Sequence, residues 1–296
     1  MTLDRMAPAL FVLLWSTGWV LAKYGGIYSG PLTFLCLRYA LAALLFFAVC
    51  VVFQAPRLST GRAMGHAILS GIFLHGLYLG AVWWAIGEGV PAAMSSIIAG
   101  LQPLMTAAAA PYLLGENLTG PQRLGVSLGF VGIAIAVLPK FLVLSSSDLA
   151  ISAVPIVINI AGMAAATYGT IHQKKYLQTG DLRWIATLQY VGAFAVTVPF
   201  AFFLEDFRIS FSWQLVGLLV WSVLGLSMGA IALLLILLRR GQVSRAASLI
   251  YLVPPLAAIQ AAVIFGEDLT MPMIIGTTIA VLGVYLTNRK VIVPAE

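Results

Sequence analysis

The chain has 296 residues, of which 61% are hydrophobic and only 9% are charged, and its mean hydropathy is +1.02. A soluble domain carries about a quarter charged residues, so this composition excludes a water-soluble globular protein and indicates a chain embedded in lipid. The net charge of +6 does not indicate nucleic-acid binding, because the basic residues stand in short clusters between apolar runs.

Apolar stretches of about 20 residues, the length that crosses a bilayer, follow one another along the chain. They predict ten spans, over 7–24, 32–53, 64–86, 92–114, 121–138, 150–172, 184–204, 213–238, 244–265 and 271–287. The breaks between them are short and contain Gly, Pro or charged residues, so no segment is left for a soluble domain. We therefore expect an all-α integral membrane protein with ten transmembrane helices.

The basic residues predict the orientation of these spans. Most of the 16 Lys and Arg residues fall on the side of the membrane that would hold both termini. Positively charged loops stay in the cytoplasm, so both termini are predicted to be cytoplasmic.

A short signature occurs twice, as GENLT from residue 115 and as GEDLT from residue 266. The same shift of 151 positions aligns three further pairs: Pro103 with Pro254, Gly125 with Gly276, and Gly132 with Gly283. The chain is therefore predicted to be a tandem repeat, with one copy over 1–144 and the second over 145–296. Each copy holds five spans, an odd number, so the second copy enters the membrane from the opposite face and the repeats are inverted.

Several motifs resemble the EamA family of the drug/metabolite transporter superfamily. They are LLWSTGWVLAKY at 13–24, Leu37-Arg38-Tyr39, and the pair GLQPLMTAAAAPYLLGE at 100–116 and YLVPPLAAIQAAVIFGE at 251–267. Within that family the chain is most similar to exporters of aromatic amino acids in bacterial inner membranes. The resemblance implies a multi-pass exporter of the inner (plasma) membrane that works by alternating access, with a cavity between its halves.

Prolines at equivalent positions of the two repeats are candidate hinges. Pro103 lies in the fourth span, and Pro254 and Pro255 lie in the ninth. Each removes a backbone hydrogen bond and bends its helix, which a static bundle can tolerate. Their equivalent placement favours a hinge beside the binding site, where transporters have broken helices.

Polar and aromatic residues in the middle of spans are the best candidates for a substrate site, because lipid offers them no hydrogen-bond partners. The candidates are Trp15, Trp19, His75, Tyr78, Ser95, Gln102, Asn159, Met163, Tyr168, Ser244, Ser248 and Tyr251. Any single serine among them is more often a packing residue. Trp83 and Trp84, near a span end, are interpreted as interfacial residues instead. Several aromatics and little charge suit aromatic amino acids, while other hydrophobic amino acids, nucleobases and drugs stay open.

Three charged residues have both a structural and a ligand-binding interpretation. Arg38, one turn into the second span, either extends to the membrane interface or contacts a ligand. Glu116 and Glu267 are each predicted to stabilise the start of the helix that follows them in the chain.

No sequence motif indicates catalysis or a cofactor. A Walker A loop, an H-E-x-x-H helix, a paired Cys cluster and a G-x-S-x-G elbow are all absent, and His66, His75 and His172 lack metal-ligand spacing. We expect no cofactor, no metal and no enzymatic activity, although an intramembrane enzyme or a channel is an alternative. The expected partners are a small-molecule substrate and the lipid bilayer, with no nucleic acid, and the expected state is a monomer.

Every Asp and Glu lies at a span end or in a loop. Proton-driven carriers usually place an acid at membrane depth, so the sequence favours facilitated export, or uniport. A proton-coupled exporter of drugs or other metabolites is the alternative.

Overall fold

The computed structural model describes residues 3–113, 115, 118–142, 146–229 and 252–287, and these are almost entirely helical. The helices are α1 (Leu3–Tyr28), α2 (Pro31–Val52), α3 (Gly61–Gly87), α4 (Ala92–Leu113), α5 (Gly120–Leu142), α6 (Ser146–Tyr176), α7 (Leu182–Glu205), α8 (Trp213–Gly229), α9 (Val253–Phe265) and α10 (Met271–Thr287). The prediction of an all-α fold with ten helices is confirmed for this part of the chain.

Helix length agrees with a membrane-spanning bundle. α1 to α7 each contain a segment that is long and apolar enough to cross a membrane, and α8, α9 and α10 are shorter apolar helices. The predicted spans 213–238 and 244–265 are described only in part, since α8 and α9 adjoin residues 230–251, which lie outside the described residues.

Local capping explains where several helices begin. α2 begins at Pro31, whose fixed φ suits the first turn of a helix. α3 and α7 follow Thr60 and Asp181, whose side chains accept hydrogen bonds from the backbone N–H of Ala63 and Arg183. The Arg183 side chain also donates to Asp181 and holds the pKa of that carboxyl below its ordinary value.

The last helices of the two halves, α5 and α10, pack backbone against backbone through small residues. A Cβ added at Gly125 would lie 2.5 Å from the Gly283 carbonyl oxygen, and one added at Gly132 would lie 2.5 Å from the Gly276 carbonyl oxygen. The four glycines that align in the repeated sequence therefore lie in one helix contact, where each meets the other pair's member: Gly125 meets Gly283 and Gly132 meets Gly276. Small residues of this kind allow membrane helices to pack closely.

The second helices of the halves, α2 and α7, form another close pair, and α7 also packs on α3. A Cβ at Gly192 of α7 would meet the Ile68 carbonyl of α3, and one at Gly71 of α3 would meet the Gln189 backbone of α7. These contacts hold α3 beside α2 and α7, where it contributes to the site described below.

Three helices are locally irregular. α3 contains a π-helical segment, Ile72–Leu77, and α8 contains another, Trp221–Gly229. When the two repeats are aligned by the shift of 151 positions, the π-helical segment of α3 falls within that of α8. α4 consists of two segments, Ala92–Ala99 and Leu101–Leu113, separated at Gly100. Such interruptions are frequent at functional sites.

The interpretation of Trp83 as an interfacial residue is wrong. Its side chain is only 2% exposed and stacks on Phe34, with ring centroids 5.1 Å apart. Position near a span end does not decide whether a side chain faces lipid or a neighbouring helix, so the sequence could not separate the two. Aromatic side chains that are largely exposed, such as Phe211 and Trp213, lie instead at the start of α8 or just before it.

Candidate functional site

Two carboxylates from the second half of the chain cap helices of the first half, at one end of the bundle. Glu205, at the end of α7, accepts hydrogen bonds from the backbone N–H of Leu32 at 2.9 Å and of Thr33 at 2.8 Å. It also accepts from the Thr33 hydroxyl. A carboxylate at a helix N-terminus satisfies free N–H groups and meets the positive end of the helix dipole. We call this end of the bundle the Glu267 face, after the second carboxylate.

Glu267 makes the larger set of contacts between the halves. Its carboxylate accepts from the backbone N–H of Ala92 at 3.0 Å and of Ala93 at 2.8 Å, and the Lys23 ammonium lies 2.6 Å from it. The expectation that Glu267 stabilises the helix following it is wrong, because it caps α4. The reason lies in tertiary structure: α4 begins where the α9–α10 loop passes, and sequence adjacency does not reveal this.

Two predicted site residues meet between α4 and α6, and a third, Trp19 of α1, is buried in the same core. The Asn159 amide nitrogen donates to the Ser95 hydroxyl at 2.7 Å, and both side chains are fully buried. The Asn159 amide oxygen has no hydrogen-bond partner, and neither does the indole N–H of Trp19, which is 6% exposed. Met163, one turn after Asn159, is also fully buried.

The irregular part of α4 carries a second set of polar contacts. The Gln102 side chain donates to the Thr170 hydroxyl of α6 at 3.1 Å, and the Gln102 carbonyl accepts from Thr106 and Thr167. Polar contacts of this kind support the backbone next to the break at Gly100.

The three candidate hinge prolines lie in first helical turns rather than in the middle of helices. Pro103 falls in the first turn of the second α4 segment, and Pro254 and Pro255 fall in the first turn of α9. The Ser96 hydroxyl of α4 donates to the Pro254 carbonyl at 3.1 Å, so the two helices meet near these prolines. A hinge role for them stays a prediction.

A third group of contacts surrounds Arg38 and includes His75. The His75 ring stacks on Tyr190 at 4.9 Å, and its carbonyl accepts from the Tyr39 hydroxyl at 2.8 Å. Arg38 is 6% exposed and donates from Nε to the Ser227 hydroxyl at 3.2 Å. Arg38 therefore does not extend to the interface, which removes one of its two interpretations.

Not every predicted residue joins these groups. Tyr78 is half-buried against the core, Trp15 is 36% exposed and packs on Phe11, and Tyr168 is 43% exposed and packs on Phe73. The candidates Ser244, Ser248 and Tyr251 lie outside the described residues.

One side-chain pair escaped sequence analysis because its members are distant in the chain. His66 Nδ1 and His172 Nε2 lie 3.1 Å apart across the contact between α3 and α6, and Tyr176 stacks on His66. This pair lies near the end of the bundle opposite the Glu267 face. Among the described residues no group of three or more His, Cys, Asp or Glu side chains could hold a metal ion.

Buried polar groups between apolar, membrane-length helices are typical of membrane transporters, because such groups mark substrate pathways. The chain belongs to the EamA-like transporter family, which matches it over residues 6–138 and 153–289. It is therefore a multi-pass membrane transporter of the drug/metabolite transporter superfamily, and the alternative of an intramembrane enzyme is set aside.

Individual relatives agree with this assignment. The uncharacterized transporter YvbV of Bacillus subtilis (strain 168) is 25% identical, over 98% of this chain and 92% of its own length. The probable amino-acid metabolite efflux pumps of Salmonella typhimurium and Escherichia coli (strain K12) are 24% and 23% identical, each over 96% of this chain and 94% of its own length. A solved crystal structure has the same fold, with a TM-score of 0.67 at 17% identity, over 95% of this chain and 94% of that one.

Proposed function

We propose that this transporter exports aromatic and other neutral amino acids from the cytoplasm. The observation that carries the proposal is the pair of buried, unpartnered polar atoms on predicted site residues, the indole N–H of Trp19 and the amide oxygen of Asn159. A buried polar atom without a partner costs about 1–3 kcal/mol, so such atoms are retained where a ligand or water satisfies them. One is a donor and the other an acceptor, which suits a zwitterionic solute.

The side chains around these atoms favour a solute with an apolar or ring side chain. Trp19 and Met163 offer buried apolar surface, and Ser95 adds a hydroxyl beside Asn159. Ring stacking and a small number of precise polar contacts are the usual basis of small-molecule selectivity. The amino-acid efflux pumps among the relatives support the same substrate class.

Alternating access accounts for the contacts that join the two halves. The caps by Glu205 and Glu267 join the two halves at the Glu267 face, which the charge distribution of the sequence predicts to be periplasmic. Opening it requires α2 and α4 to leave these carboxylates. The break in α4 at Gly100 supplies a place where such a movement can occur without disrupting a whole helix.

Export by uniport is the simplest coupling mode for these residues. Among the described carboxylates, Glu205 and Glu267 lie at helix ends rather than at membrane depth, and both are engaged in backbone N–H bonds of neighbouring helices. The solute would leave down its own gradient through a monomer in the inner membrane.

Proton coupling is a second candidate, favoured by one observation. The imidazoles of His66 and His172 are within hydrogen-bonding distance, and imidazole is the side chain most often used to carry protons. A transmembrane pH gradient imposed on liposomes separates the two modes. Uniport predicts no uphill accumulation, whereas proton coupling predicts accumulation that is lost in His172→Ala.

The amino-acid proposal is tested with purified protein in liposomes loaded with radiolabelled L-phenylalanine. We expect saturable efflux at equal pH on both sides, and a reduction of about tenfold in Trp19→Phe, which keeps the ring but removes the N–H donor. Trp213→Phe is the matched control, because Trp213 is 80% exposed at a helix start. Equal efflux from the Trp19→Phe and Trp213→Phe variants would contradict the assignment of Trp19 to the site.

A further inference from the structure

Arg38 is a cation buried in the interior of the helical bundle. Its α-carbon lies about 10 Å along α2 from Pro31, while its hydrogen-bond partner Ser227 lies about 20 Å along α8 from Trp213. Both helices begin at the Glu267 face, so the guanidinium extends deeper into the bundle and away from the nearer surface. A charged side chain in that position costs several kcal/mol unless it is paired.

No carboxylate of the described residues pairs with this charge. The ion pairs among them are Lys23–Glu267 and Arg183–Asp181, both at helix ends. Residues 230–251, which stand between α8 and α9 in the sequence, contain no Asp or Glu. The described residues therefore supply Arg38 with neutral partners, and the position for a counter-anion is open to a ligand.

The neighbours of Arg38 are aromatic and hydroxyl groups on four helices. The Tyr190 hydroxyl of α7 lies beside both Arg38 and Ser227, and Tyr190 stacks on His75 of α3 and on Phe46 of α2. Gln189, next to Tyr190, donates to the Ser70 hydroxyl. These interactions fix the groups around the guanidinium, which is the arrangement a small-ligand site needs.

Both π-helical segments of the structure flank this cluster. His75 lies in Ile72–Leu77 of α3, and Ser227 lies in Trp221–Gly229 of α8. A π-turn displaces side chains from their regular helical positions and leaves backbone hydrogen bonds less regular, which occurs mostly at functional sites. The two repeats therefore place their equivalent irregular segments on either side of the same buried cation.

We propose that Arg38 binds the carboxylate of the transported solute, in a site completed by Ser227, Tyr190 and His75. A planar guanidinium binds a carboxylate through two parallel N–H···O bonds. It therefore selects a ligand that carries a carboxylate over one that carries an amide, or no group, at the same position. Nε is held by Ser227, which leaves the terminal nitrogens of the guanidinium for the ligand. This inference rests on the proposed amino-acid export and names the part of the substrate that the site recognises.

Ligand-induced thermal stabilisation of the purified protein tests the inference without a transport assay. The probes are L-phenylalanine and L-phenylalaninamide, which share the ring and the amine and differ in the carboxylate. We expect wild-type protein to bind phenylalanine about 10- to 100-fold more tightly than the amide, the discrimination expected for a charge-assisted hydrogen-bonded pair. In Arg38→Gln this preference should disappear, and in Ser227→Ala, which keeps the charge, it should persist in reduced form.

The outcomes separate this inference from the proposed function. Absence of a carboxylate preference in the wild type overturns the assignment of Arg38, whether or not Arg38→Gln folds. Stabilisation by chloride over gluconate, with no preference for phenylalanine, identifies an inorganic anion site and also overturns it. A preference lost in Arg38→Gln, together with no phenylalanine flux in liposomes, supports the carboxylate site and contradicts amino-acid export.

Discussion

Removing the Glu267 carboxylate should open the Glu267 face. Glu267→Ala deletes the acceptor for the backbone N–H groups of Ala92 and Ala93 and the counter-ion of Lys23. Each N–H bond to the carboxylate contributes about 1 kcal/mol, a typical value for a helix cap. The Lys23 side chain is 38% exposed, so its ion pair is screened and adds only about 0.5 kcal/mol.

The total of about 2.5 kcal/mol corresponds to a shift of about 70-fold in the ratio of closed to open states. Hydrogen exchange of a peptide containing the first residues of α4 measures this shift, because the Ala92 and Ala93 amides are protected by Glu267 in the closed state. We expect exchange there to accelerate by about that factor, while amides in the α5–α10 contact stay protected.

Two variants serve as controls for this experiment. Asp268→Ala removes an exposed carboxylate one position along the chain and should leave α4 exchange unchanged. Lys23→Met keeps the Glu267 cap and removes the screened ion pair together with the contact of the ammonium on the Phe265 ring, so it should accelerate exchange by only about twofold. If Glu267→Ala changes exchange no more than Asp268→Ala does, the cap does not hold this face closed and the reasoning is refuted.

Three further predictions concern stability and coupling. Gly132→Leu forces a side chain into the α10 backbone, so it should lower the stability of the protein by about 3 kcal/mol or more and reduce the yield of folded protein. Gly217→Ala should have no such effect, because an added Cβ there meets nothing within 4 Å. Size-exclusion profiles in detergent compare the two variants. Because the pKa of Asp181 is lowered, its helix cap stabilises the protein fully at any pH above the ordinary carboxyl pKa. This stabilisation is lost as the pH falls through the lowered pKa of Asp181. The melting-temperature difference between wild type and Asp181→Ala should therefore shrink in acid, and a constant difference would contradict the pairing with Arg183. With equal pH on both sides, an outward phenylalanine gradient alone should drive net flux, and a requirement for a pH gradient would contradict uniport.

The sequence predicted the features that depend on composition and periodicity. Long apolar stretches set the helices, because lipid leaves a backbone few alternatives to an α-helix. The aligned glycines of α5 and α10 were also visible in the repeat, although their contact across the two helices was not predicted.

Features that depend on contacts between distant residues could not be predicted. Glu267 was assigned to the helix that follows it, although it caps α4, because which helix start faces a loop is decided by tertiary packing. Arg38 was left between two interpretations until its contact with Ser227, 189 positions away, was known. The His66–His172 pair had no local signal at all, since each histidine alone resembles an ordinary buried residue.

Flux of amino acids through reconstituted protein tests the account most directly. Liposomes containing only the purified chain, loaded with a panel of radiolabelled amino acids at equal internal and external pH, are assayed for release. The account predicts saturable release of phenylalanine and other neutral amino acids in unmodified form, with about tenfold less release from Trp19→Phe. Release no faster than from protein-free liposomes for every member of the panel would contradict it.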